Sequence, residues 1–474
     1  GSDVGKTVLV AGLCRLARNK GRKVRPFKSQ NMSNNAAVAA DGGEIGRAQW
    51  LQALACGVPA SVHMNPVLLK PQSENGSQVI VQGKLAGSAK GRDYQALKPK
   101  LMAAVLDSFA RVSDGADLVI VEGAGSPAEI NLRAGDIANM GFATAADVPV
   151  LLVGDIDRGG VIASLVGTHA ILPEADAAMI AGFIINKFRG DISLFGEGIN
   201  AIGSFTGWRC FGVVPWLKAA SALPAEDSVA LLRMSRSTGS GKPVIAILEL
   251  DHIANFDDFD PLVQESEVEV VFVKAGKRIP DQSTLVIIPG SKTTISDLER
   301  LRHYGWDKQI DRHVAGGGHV LGICGGFQML GKVVADLRGI EGPARTVTGL
   351  GLLDVETEML PEKTVRLSAA SSALFESALE GYEIHLGVTC GPDCARPFAF
   401  SGGKPEGAVS PGGRIYGTYL HGLFGNDIFR RQFLQSIGMT AGAGSHFDKV
   451  DAALDEIAAE LETLGLADLL SLAR

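Results

Sequence analysis

The sequence opens with a partial phosphate-binding motif, GSDVGKT at residues 1–7. In such motifs, backbone N–H groups at a helix start hold phosphate oxygens, a lysine adds positive charge and a threonine hydroxyl binds Mg²⁺. The first glycine of the motif and its preceding strand are absent, so we expect a further N-terminal stretch. A chance Gly-Lys-Thr before a helix is the alternative to an ATP site. The predicted ATP-binding residues of the loop are Ser2, Asp3, Val4, Gly5, Lys6 and Thr7.

Polar residues that directly follow short apolar runs are further candidates, because ligands bind beyond the carboxyl ends of parallel strands. Glu122 ends the run at 117–121, so we predict that it binds phosphate-linked Mg²⁺ together with Thr7. Asp41, in DGGEIG, is a second candidate oxygen ligand for the metal. Asn186 follows another such run and is a candidate for contact with the nucleotide base. An ordinary polar turn is the alternative for each of them.

A cysteine framed by glycines, in GICGG at residues 322–326, predicts a catalytic nucleophile. An apolar run precedes it and a helical pattern at 327–334 follows, which is the strand–turn–helix context of a nucleophile elbow. A helix start favours the thiolate form of Cys324, and the N–H of the following residue can stabilise an oxyanion. The predicted oxyanion and substrate-binding residues of this site are Gly290, Ser291, Gly325 and Gln328.

A nucleophilic cysteine needs a base, and two histidines stand in glycine-framed strand patterns. His421, in GTYLHGLF, has a strand-then-turn context that suits the presentation of an imidazole. His385, in GYEIHLG, is the competitor. We predict that His421 is the general base for Cys324.

The elements that must position these residues follow an alternating β and α pattern. Apolar runs without polar alternation indicate strands covered on both faces, hence parallel sheets between helix layers. The polar stretch SRSTGSGK interrupts this pattern, and an amphipathic helix is predicted at 450–472. We predict two α/β domains with three layers each. The predicted boundaries are 1–234, a linker at 235–242, a second domain at 243–436 and a helical tail at 437–474.

Composition excludes several classes of protein. The 474 residues are 46% hydrophobic and carry a formal charge of −7, with 6% aromatic residues, which disfavours a nucleic-acid partner. No apolar run reaches the length of a membrane span, and no secretory signal is recognisable. The six cysteines are scattered, and we treat the CGPDC segment at 390–394 as structural. These features predict a protein of the reducing cytoplasm.

The order of several motifs resembles the cobyric acid synthase family. The resemblance runs from residue 1 to about 435 and rests on segments 1–7, 26–33, 41–49, 65–71, 74–78, 121–126, 154–160 and 289–293. It implies a dethiobiotin-synthetase-like P-loop ATPase domain followed by a triad-type glutamine amidotransferase domain. It also implies amidation of the b, d, e and g carboxylates of adenosylcobyrinic acid a,c-diamide, giving adenosylcobyric acid, with ATP, Mg²⁺ and L-glutamine. The oligomeric state is not predicted.

On this resemblance the corrinoid would lie in an open crevice beyond the strand ends. The polar segments that border it are rich in amide and charged groups, although ordinary loops and structural ion pairs are the alternative. The predicted corrinoid-binding residues are Gln30, Asn31, Asn65, Asp155, Asp157 and Arg158.

One position departs from the broad amidotransferase pattern. Many relatives carry a carboxylate two residues after the catalytic histidine, where this sequence has Leu423. The third member of the triad is therefore open: a dyad, or a distant acid such as Glu383.

Rival functions are cobyrinic acid a,c-diamide synthase, another P-loop amidoligase such as an amidase of a cell-wall lipid precursor, and a ParA-like ATPase with an inactive amidotransferase fold. The segments at 30–34 and 65–71 favour cobyric acid synthase over the two ligases. Intact Cys324 and His421 count against the ParA-like alternative.

Overall fold

The structure, a computed structural model, describes residues 3–73, 76–224 and 241–472. The chain divides into two compact units. The first comprises Gly1–Ser33, Ala39–Pro224 and Lys449–Arg474, and the second comprises Asn34–Val38 and Ala225–Asp448. The predicted boundary at 234 and most of the predicted linker lie outside the described residues. Within the predicted tail at 437–474, residues 449–474 group with the first unit.

The helices and strands alternate along most of the chain. The helices are α1 (Lys6–Asn19), α2 (Arg47–Cys56), α3 (Gly91–Ser113), α4 (Met140–Ala146), α5 (Val161–Ile171), α6 (Glu174–Ala177), α7 (Gly196–Thr206), α8 (Asp260–Val263), α9 (Thr294–His303), α10 (Trp306–Ala315), α11 (Gly325–Leu330), α12 (Asp427–Ser436) and α13 (His446–Thr463). The strands up to residue 224 are β1 (Val24–Phe27), β2 (Gln30–Met32), β3 (Ala36–Val38), β4 (Glu44–Gly46), β5 (Val67–Ser73), β6 (Gly76–Val81), β7 (Lys84–Lys90), β8 (Leu118–Val121), β9 (Val150–Asp155), β10 (Ile180–Phe188) and β11 (Arg209–Pro215). The later strands are β12 (Val244–Leu248), β13 (Ile253–Ala254), β14 (Glu269–Val273), β15 (Ser283–Ile288), β16 (Gly290–Ser291), β17 (His319–Ile323), β18 (Val333–Asp336), β19 (Arg345–Thr348), β20 (Glu356–Ser372), β21 (Ala378–Cys390), β22 (Ala399–Ser401), β23 (Lys404–Glu406), β24 (Ala408–Val409), β25 (Ile415–Thr418) and β26 (Leu420–His421). Among the described helices, none is long and apolar enough to cross a membrane.

Parallel strands form the centre of the first unit, as the apolar runs predict. β1 pairs with β8 in parallel, in register from Val24 opposite Leu118 to Phe27 opposite Val121. β10 lies between β9 and β11, again in parallel. These pairings align the carboxyl ends of β1 and β8, and separately those of β9, β10 and β11, where the sequence places its candidate ligand-binding residues.

The first unit differs from the prediction in two respects. A cavity of about 570 Å³ is lined by residues of both β8 and β9. In the strand pairing of the described first unit, β1 and β8 form one parallel sheet and β9, β10 and β11 form another, whereas one sheet between helix layers was predicted. In addition, β2, β5, β6 and β7 form a four-stranded sheet with antiparallel pairs that the sequence reading did not predict.

Helix α13 completes the apolar core beside α1, the helix that begins at the phosphate-binding motif. Leu454, Ile457 and Leu461 are fully buried in one cluster with Leu9 and Leu16. The apolar face that the amphipathic pattern of the C-terminal segment predicts is therefore buried in the structure. The helix itself runs from His446 to Thr463, followed by a short 3-10 helix, rather than continuously through residues 450–472.

A buried arginine reinforces this packing. The Arg15 side chain on α1 is almost fully buried, and its Nε donates to the Ala55 carbonyl oxygen at 3.1 Å. Its two terminal nitrogens form ion pairs with Asp451 and Asp455 on α13. A buried guanidinium needs such partners, because an unpaired charge would carry a large desolvation cost.

We expect Leu454→Ala to destabilise the first unit by about 2–5 kcal/mol, because the truncation leaves a cavity in a fully buried layer. Equilibrium denaturation measures the change in the free energy of unfolding. Glu456→Ala, at an exposed position on the same helix, should change it by about 0.5 kcal/mol or less. Equal effects of the two substitutions would contradict the packing of α13.

The second unit is built on a six-stranded sheet in the order β14-β12-β15-β17-β25-β24. Its strands are parallel except for β24, which pairs with β25 in the antiparallel sense. The apolar segments at 244–250, 268–273, 285–288 and 320–323 form β12, β14, β15 and β17, as continuous apolar runs predict for buried parallel strands. They lie in one large apolar core that also includes Trp306 and Phe433.

Two elements of the second unit depart from the sequence prediction. The helix predicted at 327–334 ends at Leu330, and the β-branched residues that follow form β18. β20 and β21 form a long antiparallel hairpin, which joins β26 through the pair Tyr382–His421. This hairpin brings residues 383–386 to the end of the parallel sheet.

Candidate functional site

Asn186 supports the phosphate loop of the first unit. Gly5 has a left-handed backbone with φ of 85°, and α1 begins at the next residue. Asn186 Nδ2 donates to the Val4 carbonyl oxygen at 2.7 Å. A Cβ atom on Gly5 would lie 2.6 Å from that nitrogen, so glycine is required where the loop approaches Asn186. Asn186 therefore contacts the loop through its amide nitrogen, instead of presenting that nitrogen to a base; Ser2 lies outside the described residues.

Charged residues after β9 and β10 fix the same loop. Lys187 Nζ lies 2.9 Å from Asp155 Oδ2 and also donates to the Asp3 carbonyl oxygen. Arg158 pairs with the Asp3 carboxylate at 3.1 Å, and the Asp157 N–H donates to Asp155 Oδ1 at 2.9 Å. The residues predicted to border a corrinoid here thus form an ion-pair network with the loop.

A buried carboxylate stands where α1 meets the carboxyl end of β8. Glu122 Oε1 accepts hydrogen bonds from Thr7 Oγ1 at 2.9 Å and Lys28 Nζ at 2.7 Å. Glu122 Oε2 accepts one from Gln52 Nε2 at 2.6 Å. Burial alone would raise the pKa of Glu122, but the charge and hydrogen bond of Lys28 and the Gln52 amide hold that pKa below its usual value. The structure thus confirms that Thr7 and Glu122 lie together.

Lys28 and Gln52 are functional candidates that the sequence reading missed. Lys28 directly follows β1, as Glu122 directly follows β8. A search for polar residues that come directly after apolar runs would therefore identify Lys28 as well as Glu122. Gln52 lies in the middle of α2, where the sequence carries no signal of its contact with Glu122. Its Oε1 atom is buried without a hydrogen-bond partner among the described residues.

Thr7 and Glu122 are suited to hold Mg²⁺, because both present oxygen atoms within 3 Å of one another beside the loop. Asp41 is otherwise engaged: its carboxylate accepts from Ser61 Oγ at 2.6 Å and from the Val62 N–H at 3.1 Å. In the described part of the chain, no cluster of three or more His, Cys, Asp or Glu could hold a metal. Asp41 therefore stabilises a turn here.

The amide residues predicted to contact a corrinoid have protein partners. Gln30 Oε1 accepts a hydrogen bond from a tyrosine hydroxyl of α3. Asn31 is buried and donates to Gln49 Oε1 at 3.0 Å. Asn65 is also buried, and its Nδ2 donates to the Lys28 carbonyl oxygen at 3.1 Å. Asn65 therefore holds the backbone at Lys28, and Asn31 links β2 to α2.

In the second unit, Cys324 occupies a strained turn between β17 and α11. Its φ is 54°, in the left-handed region that a residue with a side chain rarely adopts. The turn is so close to β15 that a Cβ atom on Gly326 would lie 2.0 Å from the Ile288 carbonyl oxygen. Cys324 Sγ lies 3.5 Å from the Ile384 carbonyl oxygen of β21. This is the geometry that the predicted nucleophile elbow requires.

His421 is held by an aspartate from a distant part of the sequence. His421 Nδ1 lies 2.7 Å from Asp258 Oδ2, and the Gly422 N–H donates to Asp258 Oδ1 at 2.7 Å. Both side chains are buried, and the imidazole stacks on Tyr382 with ring centres 5.2 Å apart. Asp258 thus fixes the ring plane and leaves Nε2 as the nitrogen for Cys324.

The charge of this pair favours the imidazolium. Burial by itself would lower the pKa of His421, but the Asp258 carboxylate and the neighbouring Cys324 raise it to about 10. The imidazolium thus holds a proton on Nε2 beside Cys324 that it can donate.

The two alternatives from sequence have other partners. His385 stacks on Tyr419 with ring centres 3.8 Å apart, and its Nε2 lies 3.6 Å from Glu383 Oε2. Arg366 contacts both Glu383 oxygens at 2.9 Å. Burial would raise the pKa of Glu383, but His385, Arg366 and a serine hydroxyl lower it to about 2. Asp258 therefore contacts the imidazole of His421, and Glu383 does not take the position of a third triad member.

The glycine-rich turns predicted to bind an oxyanion lie around the cysteine. A methyl group on Gly290 would lie 3.3 Å from His421 Cε1 and 3.7 Å from Cys324 Cβ. A methyl group on Gly325 would lie 2.9 Å from the Ser291 nitrogen. The structure therefore brings Gly290, Ser291 and Gly325 together at the nucleophile.

The side-chain amide of Gln328 is hydrogen-bonded at both ends. Its Oε1 accepts from Thr294 Oγ1 at 2.9 Å, and its Nε2 donates to the Leu386 carbonyl oxygen at 2.8 Å and to Tyr419 Oη at 3.2 Å. Because both ends of the amide are engaged, Gln328 ties α11 to β21 and α9.

Comparisons with known proteins agree with this pair of sites. Residues 1–230 match the CobQ/CobB/MinD/ParA nucleotide binding domain, and residues 244–429 match the CobB/CobQ-like glutamine amidotransferase domain. Cobyric acid synthase of Sinorhizobium fredii is 68% identical over 98% of this chain and 95% of its own length. That of Rhizobium meliloti is 66% identical over 98% of this chain and 96% of its own length. The chain belongs to the cobyric acid synthase family.

Membership in the cobyric acid synthase family confirms the order of the domains and the enzyme class, a glutamine-dependent amidotransferase. Cobyric acid synthase of Brucella suis, 67% identical over 98% of this chain and 95% of its own length, extends the same match. Within this member of the cobyric acid synthase family, the glutamine amidotransferase match contains Asp258, Cys324 and His421.

We expect Asp258→Asn to lower glutaminase turnover on the order of 10²- to 10⁴-fold, because the imidazolium loses the carboxylate that stabilises it. Since a neutral amide no longer raises the pKa of His421, activity should also fall at a lower pH on the alkaline side than in the wild type. Glutamate release measured against pH tests both effects. Glu383→Gln is the matched control, and a larger loss in that variant would show that the wrong acid has been assigned.

Proposed function

We propose that the protein amidates the b, d, e and g carboxylates of adenosylcobyrinic acid a,c-diamide to give adenosylcobyric acid, using ATP and L-glutamine. The observation that carries this proposal is the presence, in one member of the cobyric acid synthase family, of two chemically distinct sites. One has Thr7, Lys28 and Glu122 beside a phosphate loop, and the other has Cys324 beside a histidine–aspartate pair. The six cysteines are all free thiols, which supports a cytoplasmic location.

The first site would activate the carboxylate. The loop and Lys6 would hold the phosphates of ATP, and Thr7 and Glu122 would hold Mg²⁺, which would neutralise phosphate charge. A substrate carboxylate oxygen attacks the γ-phosphorus and ADP leaves, so the carboxylate becomes an acyl phosphate. Lys28 places a buried cation 2.7 Å from Glu122 Oε1 and is suited to stabilise the negative charge of the approaching groups.

The second site would release ammonia. The Cys324 thiolate attacks the side-chain amide of glutamine, and His421 protonates the departing nitrogen. Water then hydrolyses the thioester to glutamate and restores the thiol. Ammonia attacks the acyl phosphate, a carbon–nitrogen bond forms, and phosphate leaves with the oxygen it received.

Substitutions at the two sites should separate these steps. We expect Cys324→Ser to abolish glutamine-dependent amidation and to leave amidation by ammonium chloride largely intact. Lys6→Ala should suppress amidation with either nitrogen source, because it acts before nitrogen enters. Product formation with each source is the measurement. Loss of both glutamine-dependent and ammonia-dependent amidation in a folded Cys324→Ser variant would contradict the assignment of the two reactions to separate sites. Normal ammonia-dependent turnover of Lys6→Ala would contradict it as well.

The acceptor is tested by mass spectrometry of the corrinoid products. With the a,c-diamide, ATP, Mg²⁺ and glutamine, we expect a series in which NH₂ replaces OH on successive arms until b, d, e and g are all converted. Unamidated cobyrinic acid should not be converted at its a and c arms. Conversion confined to those arms would favour cobyrinic acid a,c-diamide synthase, and a single amidation of the diamide would defeat the assignment.

A further inference from the structure

A stacked arginine–tryptophan pair lies at the carboxyl ends of β10 and β11. The guanidinium carbon of Arg189 stands 3.9 Å from the centre of the Trp216 ring. The backbone N–H of Trp216 donates to the Phe188 carbonyl oxygen at 2.9 Å, so the main chain that carries the indole is held directly after its strand. The Trp216 side chain is 37% exposed. Among the aromatic side chains that lie at the ends of parallel strands in the described part of the first unit, no other is as exposed. The protein thus presents a rigid π surface to solvent.

Hydrogen bonds connect this pair to the phosphate loop. Arg189 Nε lies 2.9 Å from Asp157 Oδ1, and the Asp157 N–H donates to Asp155 Oδ1. Asp155 in turn pairs with Lys187, which donates to the Asp3 carbonyl oxygen of the loop. The arginine–tryptophan pair and the loop therefore belong to one network on one edge of β9, β10 and β11.

The nucleotide base needs a contact that the loop cannot supply. Backbone N–H groups and Lys6 recognise phosphates, and Asn186 uses its amide nitrogen to hold the Val4 carbonyl oxygen. A purine is planar and stacks well on an indole or a guanidinium. The Arg189–Trp216 pair offers both groups.

We propose that the Arg189–Trp216 pair is the binding surface for the purine base of the nucleotide, an inference that rests on ATP being the substrate of the first unit. The base stacks on the exposed part of the pair while the triphosphate extends toward Lys6. Asp157 acts as a positioning residue, because it holds the guanidinium beside the indole.

Binding measurements with and without a base test the proposal. Isothermal titration calorimetry of the full chain with Mg·ATP and with magnesium tripolyphosphate separates base contacts from phosphate contacts. We expect Trp216→Ala to weaken Mg·ATP binding by about 5- to 150-fold, the range for loss of one base–aromatic stack, and to leave tripolyphosphate binding unchanged. Trp216→Phe, which keeps an aromatic face, should recover most of the lost affinity.

Trp50 provides a matched control, since the guanidinium carbon of Arg47 stands 4.0 Å from its ring centre on α2. Trp50→Ala should not alter the ratio of the two affinities. Quenching of tryptophan fluorescence by ATP, but not by tripolyphosphate, should disappear in Trp216→Phe and persist in Trp50→Phe.

The proposal would be overturned if Trp216→Ala weakened the binding of Mg·ATP and of magnesium tripolyphosphate equally, or weakened neither. It would also be overturned if Trp50→Ala abolished the difference between the two affinities. If Lys6→Ala abolishes ATP binding while Trp216→Ala does not change it, the ATP site stands and the base surface falls. A wild-type protein that binds neither ligand would overturn the proposed function itself, and this inference with it.

Discussion

A carboxylate can remain charged inside a protein only where donors and cations replace the water that it has lost, and this constraint organises both sites. Glu122 meets it through Thr7, Lys28 and Gln52, which arrive on three different elements. Because the same carboxylate joins α1, β1, β8 and α2, the position of the phosphate loop depends on it. Removal of Lys28 would take away the buried cation that is paired with this carboxylate.

In the second unit, the buried carboxylate of Asp258 is stabilised by two hydrogen-bond donors. Asp258 receives the imidazole N–H of His421 and the N–H of Gly422, so one carboxylate fixes both the ring and the backbone that carries it. This arrangement explains how the unit functions with Leu423 two residues after the histidine. The acid comes from a 3-10 helix at Phe256–Phe259, and the long hairpin brings Tyr382 against the other face of the ring.

Local signals in the sequence predicted the phosphate loop, Glu122, Cys324 and His421, because each follows an apolar run or stands in a glycine-rich turn. They could not identify Gln52 or Asp258, whose roles depend on contacts across 70 and 163 residues. Asp258 is one of three aspartates in NFDDFD, and nothing local distinguishes it from the others. The buried parallel strands were predicted well, since continuous apolar runs mark them. The hairpin of β20 and β21 was missed because its residues are mixed in polarity and half exposed. The protein contacts of Asn31 and Asn65 were not foreseen, because burial of an amide cannot be read from composition, and their contact with a corrinoid stays a prediction.

The packing of α13 on α1 has a consequence for the order in which the chain folds during synthesis. A ribosome releases residues 241–448 before residues 449–472, so the described elements of the amidotransferase unit are all available while the core around α1 still lacks Leu454, Ile457 and Leu461. The core of the nucleotide unit, although most of that unit is translated first, can therefore close only after α13 has been synthesised. Until α13 packs on α1, the helix that begins at the phosphate loop has an open apolar face.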